Sequence, residues 1–163
     1  MNDNKENPAG ENDPRRQDCS TSLEGRAASL RSVAEYDEKI SALGVVPYTT
    51  GLLTLLEAAE LHYEKARILD EKLDDMHGAW NSYKQAFLLN PKFLPAIQAA
   101  RKLATRVENW GAVVQIIQTE IEAVESTEEK VELLRLKGLV LETNLGKESE
   151  AQAAYDKAEE LSQ

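Results

Sequence analysis

Three polar residues of the chain have a spacing that suits ligand binding. Gln98, Lys102 and Arg106 follow one another at intervals of four residues, so on a helix they lie along one face. An ammonium and a guanidinium on one face can hold a carboxylate, and the guanidinium can bind both carboxylate oxygens. We therefore predict that these residues contact a partner. The alternative is that the two cations form solvated ion pairs with neighbouring acids, each worth about 0–1 kcal/mol.

The residue pattern favours neither catalysis nor metal binding. His62 and His77 have no second histidine or cysteine at metal-ligand spacing, and the single cysteine, Cys19, excludes an internal disulfide. There is no phosphate-binding loop, no dinucleotide fingerprint and no arrangement of serine, histidine and aspartate that suits catalysis. We expect a protein that is not an enzyme and that holds no metal or cofactor.

Charge along the chain is uneven. The 163 residues carry a net charge of −10, which argues against sequence-independent binding to nucleic acid. The stretch from Met76 to Val107 nevertheless contains no acidic residue and has a balance of +5, whereas residues 1–75 carry −7 and residues 108–163 carry −8. The chain therefore has a basic belt in its middle, and that belt includes Lys102 and Arg106.

One frame of small and large residues recurs along the chain. It consists of Ala79, Tyr83, Ala86 and Leu89 followed by Pro91, and it returns as Ala151, Tyr155, Ala158 and Leu161. A weaker copy, Val113, Ile117 and Glu120, stands 34 residues after the first and 38 residues before the last. Small residues let two helices approach closely, and proline ends a helix. Short turns, such as Glu108-Asn109, join the predicted helices, and we expect Trp80 and Trp110 to be packing residues.

This frame resembles the tetratricopeptide repeat family, whose unit is a helix–turn–helix of about 34 residues. The resemblance places repeats at 60–93, 94–127 and 132–163. The chain departs from the family at the usual leucine–glycine pair, which becomes Ala66-Arg67, Ala100-Arg101 and Gly138-Leu139. It also has Glu120 where the family has a small residue. The fold implied by the resemblance is all-α, a right-handed solenoid whose first helices line a concave groove.

The remaining chain is predicted to flank this array. Residues 1–25 contain few apolar side chains, so we predict a disordered tail. Residues 26–59 are predicted to form helices that cover the front of the array, one over 26–43 ending at Gly44 and the next capped by Thr49 or Thr50. No signal or membrane segment is apparent, which makes a cytoplasmic location without membrane contact the expectation.

The resemblance implies a non-catalytic protein–protein interaction module. A protein or peptide segment, acidic if it meets Lys102 and Arg106, would lie in the groove. The family's lysine and asparagine clamp for chaperones is not found, since repeat one offers Glu64 and Ile68. One alternative is a larger array or a self-associating scaffold, because no polar helix follows the last repeat and Leu141, Ala154 and Leu161 are expected to be partly uncovered. Another is an accessory role within an enzyme complex.

Overall fold

The computed structural model of the protein describes residues 14–44 and 51–163, and within these ranges every regular element is an α-helix. The described part of the chain is therefore all-α, as predicted. The helices are α1 (Pro14–Ala42), α2 (Leu52–Glu71), α3 (Met76–Leu89), α4 (Leu94–Arg106), α5 (Trp110–Ala123), α6 (Thr127–Leu145) and α7 (Glu148–Ser162).

The N-terminal helix starts earlier than its sequence indicates. α1 begins at Pro14, so residues 14–25, predicted to be disordered, are helical, while residues 1–13 lie outside the described ranges. Proline suits this start because the first helical position needs no amide hydrogen. The helix ends as predicted, with Gly44 in the left-handed conformation at φ 57°. Thr49 and Thr50, the predicted caps of α2, lie outside the described residues.

Three helix pairs make up the rest of the described chain. α2 packs on α3, α4 on α5 and α6 on α7. Contacts of α1 with α2, of α3 with α4 and of α5 with α6 join these pairs to one another and to α1. The turns within the pairs fall at residues 72–75, 107–109 and 146–147, where short turns were predicted. Two predicted boundaries differ from the helix bounds. The first repeat was predicted to begin at residue 60, but α2 runs through this residue without a break. The interval between the second and third copies of the frame is four residues longer than the first interval, and these residues lengthen the start of α6.

Side-chain caps fix where α3, α5 and α6 begin. Asp75 accepts a hydrogen bond from the backbone nitrogen of Gly78 (2.9 Å), and Asn109 accepts one from Ala112 (3.2 Å). Ser126 does the same for Glu129 at 3.4 Å. These bonds satisfy amide groups that have no partner within the helix. The capping residues of the sequence therefore determine where these three helices start.

Small residues on the first helices and large ones on the second form a repeated core. Ala66, Ala100 and Gly138 are buried on α2, α4 and α6. Seventeen residues after each of them stand Tyr83, Ile117 and Tyr155; the first two are buried and the third is partly buried. Each of the three helix pairs therefore has a small residue at this position of its first helix.

The C-terminal pair covers more of its own apolar surface than predicted. Leu141 and Ala154 were expected to be partly uncovered, but both are buried between α6 and α7. Of the three residues only Leu161 is exposed, at 39%. The outer side of α7 carries polar residues, among them Gln152, Asp156 and Lys157. α7 itself therefore supplies much of the polar cover that this end of the array was expected to lack.

Candidate partner-binding surface

The three predicted binding residues lie on α4, and each of them is exposed. Their spacing of four residues puts Gln98, Lys102 and Arg106 along one side of the helix. With a rise of about 1.5 Å per residue, the row extends over about 12 Å. The predicted row of side chains is therefore present and accessible.

Arg106 already has a partner within the chain. Its guanidinium forms an ion pair with the carboxylate of Asp70 on α2. The predicted alternative, an ion pair with a neighbouring acid, thus holds for this residue. The side chain of Arg106 is 49% exposed and that of Asp70 is 14% exposed, so the pair links α2 to α4 at the edge of the row.

Gln98 lies at a cavity that sequence reasoning did not find. The cavity has a volume of about 290 Å³ and is formed where α4, α5 and α6 meet. Its lining residues are Leu94, Gln98, Arg101, Glu120, Val124, Glu129, Glu132, Leu133 and Leu136. Lys102 and Arg106 are not among them. The cavity and the cationic part of the row are therefore neighbouring but separate features of α4.

A buried ion pair forms one wall of this cavity. Arg101 Nε donates to Glu120 Oε2 over 2.7 Å, and a second guanidinium nitrogen lies 3.4 Å from Oε1. The side chain of Glu120 is only 3% exposed and that of Arg101 is 26% exposed. Glu120 stands where the other pairs bury Ala86 and Ala158. A carboxylate in that place is tolerated because the guanidinium neutralises it.

Acidic side chains lie at the open side of the cavity. Glu129 and Glu132 of α6 are both exposed and both line it. Within the described part of the chain, neither carboxylate takes part in an ion pair. Since Arg101 is the one cation among the lining residues and is paired with Glu120, the cavity as a whole is negative. Of the five cations in the basic belt, only Arg101 lines this cavity, and its charge is neutralised by Glu120.

A second cavity is more apolar and lies between α3 and α4. It has a volume of about 230 Å³ and is lined by Met76, His77, Trp80, Leu103, Ala104, Val107 and Asn109. Trp80 is partly buried and packs against the core, as does Trp110. Both tryptophans are thus packing residues, as predicted.

One histidine has a perturbed environment at the contact of α1 with α2. The Nδ1 atom of His62 is buried without a hydrogen-bond partner among the described residues. Burial lowers the pKa of His62, the nearby Lys65 lowers it further, and Asp37 of α1 opposes this shift. Lys65 forms an ion pair with Asp37 across the two helices. The neutral imidazole is therefore the form that this contact favours.

Two comparisons with known proteins were negative. No family model matches the chain, and no curated protein matches its sequence. In the described ranges no helix has both the length and the apolar character that a membrane crossing requires.

Proposed function

We propose that the chain is a non-catalytic protein–protein interaction module. In this proposal the three helix pairs are repeats of the tetratricopeptide type, stacked as a right-handed solenoid, and a partner segment binds along α2, α4 and α6. The observation that carries the proposal is the exposed row of Gln98, Lys102 and Arg106 beside an open cavity lined by residues of α4, α5 and α6. Long polar side chains next to partly apolar concavities are typical of peptide-binding surfaces.

Lys102 is the residue on which the proposal is best tested. It is exposed on the middle helix of the array, so a charge reversal there should not disturb the core. Arg106 is less suitable, since its loss would leave Asp70 without its cation. An acidic group of the partner segment would meet the ammonium of Lys102 in this arrangement.

The experiment compares two charge reversals of equal size. Lys102→Glu and Lys157→Glu would each be used with the wild-type chain to capture proteins from a cell lysate, after equal helicity is established by circular dichroism. Lys157 is exposed on α7, away from the row. We expect a protein that wild type and Lys157→Glu retain and Lys102→Glu loses. Equal capture by all three chains would contradict binding at this row.

Self-association is the second candidate function, and the exposure of Leu139 and Leu161 on the last pair favours it. Leu161 also lines a cavity of about 310 Å³ between the start of α6 and the end of α7. If this surface joins two copies, Leu161→Glu should yield a monomer in sedimentation velocity, whereas Ala153→Glu, exposed on the same helix, should not. A wild-type chain that is monomeric at all concentrations would exclude this candidate.

A further inference from the structure

The cavity between α4, α5 and α6 has a charge opposite to that of Lys102. Glu120, Glu129 and Glu132 contribute three carboxylates to its lining, and Arg101 contributes one guanidinium. We propose, on the basis of the proposed function, that this cavity receives a lysine or arginine side chain of the partner segment. The partner is thus a peptide segment with a basic residue that enters this cavity.

The unpaired charge of the cavity comes from α6. Glu120 is neutralised by Arg101, so Glu129 and Glu132 determine what the cavity attracts. These two residues are three positions apart on one helix, which places their side chains next to each other. A cation between them could interact with both carboxylates at once.

Three cations of the chain that lie on or beside the lining residues are engaged elsewhere. The ammonium of Lys92 contacts Glu125 at 3.2 Å, and that of Lys137 donates to Gln118 at 2.9 Å. Arg101 is held by Glu120 at the wall. These three side chains therefore do not neutralise Glu129 and Glu132. Among the described residues Arg135, three positions after Glu132 on α6, forms no ion pair with it either, so both carboxylates are open to a cation from outside.

Size and apolar walls also fit a long basic side chain. Leu94, Val124, Leu133 and Leu136 line the cavity beside the carboxylates. Lysine and arginine bury their methylene stems against apolar surface while the charged end remains hydrated. A volume of about 290 Å³ lies at the lower limit of cavities that take whole small molecules. A single side chain is the better match.

The position of the cavity on α4 constrains the rest of the segment. Gln98 lines the cavity and Lys102 follows one helical turn later, about 6 Å along the axis. A segment that contacts both features would carry its basic residue close to an acidic one. The amide of Gln98, at the cavity itself, can hydrogen-bond to the segment's backbone.

The test uses peptides selected from a random dodecapeptide display library on the full chain. Peptides would be selected on wild type, and their affinities measured by fluorescence anisotropy for wild type, for Glu129→Gln/Glu132→Gln, and for Glu159→Gln/Glu160→Gln. The last variant removes the same charge from exposed residues of α7. Circular dichroism would establish that all three chains are equally helical.

The expected result is a shared lysine or arginine in the selected peptides. Binding should weaken by roughly ten-fold or more in Glu129→Gln/Glu132→Gln, the change expected when charge-assisted hydrogen bonds are lost, and stay unchanged in the α7 variant. Peptides without a basic residue that bind wild type and Glu129→Gln/Glu132→Gln equally well would overturn this inference and leave the proposed function standing. If no peptide is selected at all, both proposals fail.

Discussion

The ring of Tyr155 on α7 occupies the space next to Gly138 on α6 that any larger residue would need. A Cβ atom built on Gly138 would lie 2.5 Å from Cε1 of Tyr155 and 2.8 Å from two further ring atoms. The phenol oxygen donates to Glu142, one turn further along α6, at 3.0 Å. The two helices therefore approach closely only because position 138 has no side chain.

We expect Gly138→Ala to destabilise the chain, although alanine is the better helix former by about 1 kcal/mol. The clash with the Tyr155 ring should outweigh this gain, with a net loss of roughly 1–2 kcal/mol in the free energy of unfolding measured in urea. The matched control is Gly111→Ala in α5, whose new Cβ would meet only Asn109 Oδ1 at 3.9 Å. That control should be neutral or stabilising, and a stabilising Gly138→Ala would contradict the close contact.

The turns between paired helices contain a strained position in two of the three pairs. Asp74 (φ 52°), Glu108 (φ 55°) and Gly146 (φ 64°) recur at the intervals of the repeat frame, and all three adopt the left-handed conformation. Only the glycine does so without steric cost.

Glu108→Gly should therefore stabilise the chain, by roughly 0.5–1 kcal/mol, because relief of the left-handed strain exceeds the added entropy of the unfolded chain. Glu108→Ala removes the same carboxylate but keeps the Cβ atom, so it should bring no such gain. Thermal unfolding followed by circular dichroism would measure both variants. Equal effects of glycine and alanine would show that the backbone conformation is not the cause.

The ion pair of Arg101 with Glu120 should show strong coupling in a double-mutant cycle. Arg101→Ala leaves a buried carboxylate without its cation and should cost about 3 kcal/mol or more. The double variant Arg101→Ala/Glu120→Ala restores the alanine that the other pairs have at this place. It should be more stable than Arg101→Ala alone. Additive losses in the urea midpoints would exclude the coupling.

Stability should fall at mildly acidic pH because of His62. Its pKa is lowered in the folded chain, so the unfolded chain binds the proton first as the pH drops below about 6.5. The contribution is thus fully present above that pH and is lost as the pH falls toward the folded pKa. Unfolding of wild type and His62→Gln would be compared between pH 7.5 and 5.5. The variant should show a weaker pH dependence, and parallel curves would assign the effect to other groups.

Much of the fold can be predicted from the sequence because its signals are local. The turns at 72–75 and 107–109 follow from capping residues such as Asp75 and Asn109, and helix ends follow from Gly44 and Pro91. The start of α1 at Pro14 was missed, since composition alone measures burial and not helix formation. α1 buries little along residues 22–28, and this is why its apolar pattern does not show there.

The candidate site is only partly predictable, for a different reason. The row on α4 follows from spacing within one helix. The ion pair of Arg106 with Asp70 joins residues 36 apart, and that of Arg101 with Glu120 joins residues 19 apart. Such contacts depend on how helices pack, which no local pattern reports. The unusual Glu120 in a frame of small residues was the one available sign of the cavity.

Hydrogen exchange measured with a bound peptide would show whether α4 and α6 form the binding surface. A peptide selected on the wild-type chain would be added at saturating concentration, and amide exchange would be followed by mass spectrometry along the whole chain. We expect protection to increase in α4 and in the first turns of α6, where Gln98, Lys102, Glu129 and Glu132 lie. Protection confined to α1 or α7, with α4 and α6 unchanged, would contradict it.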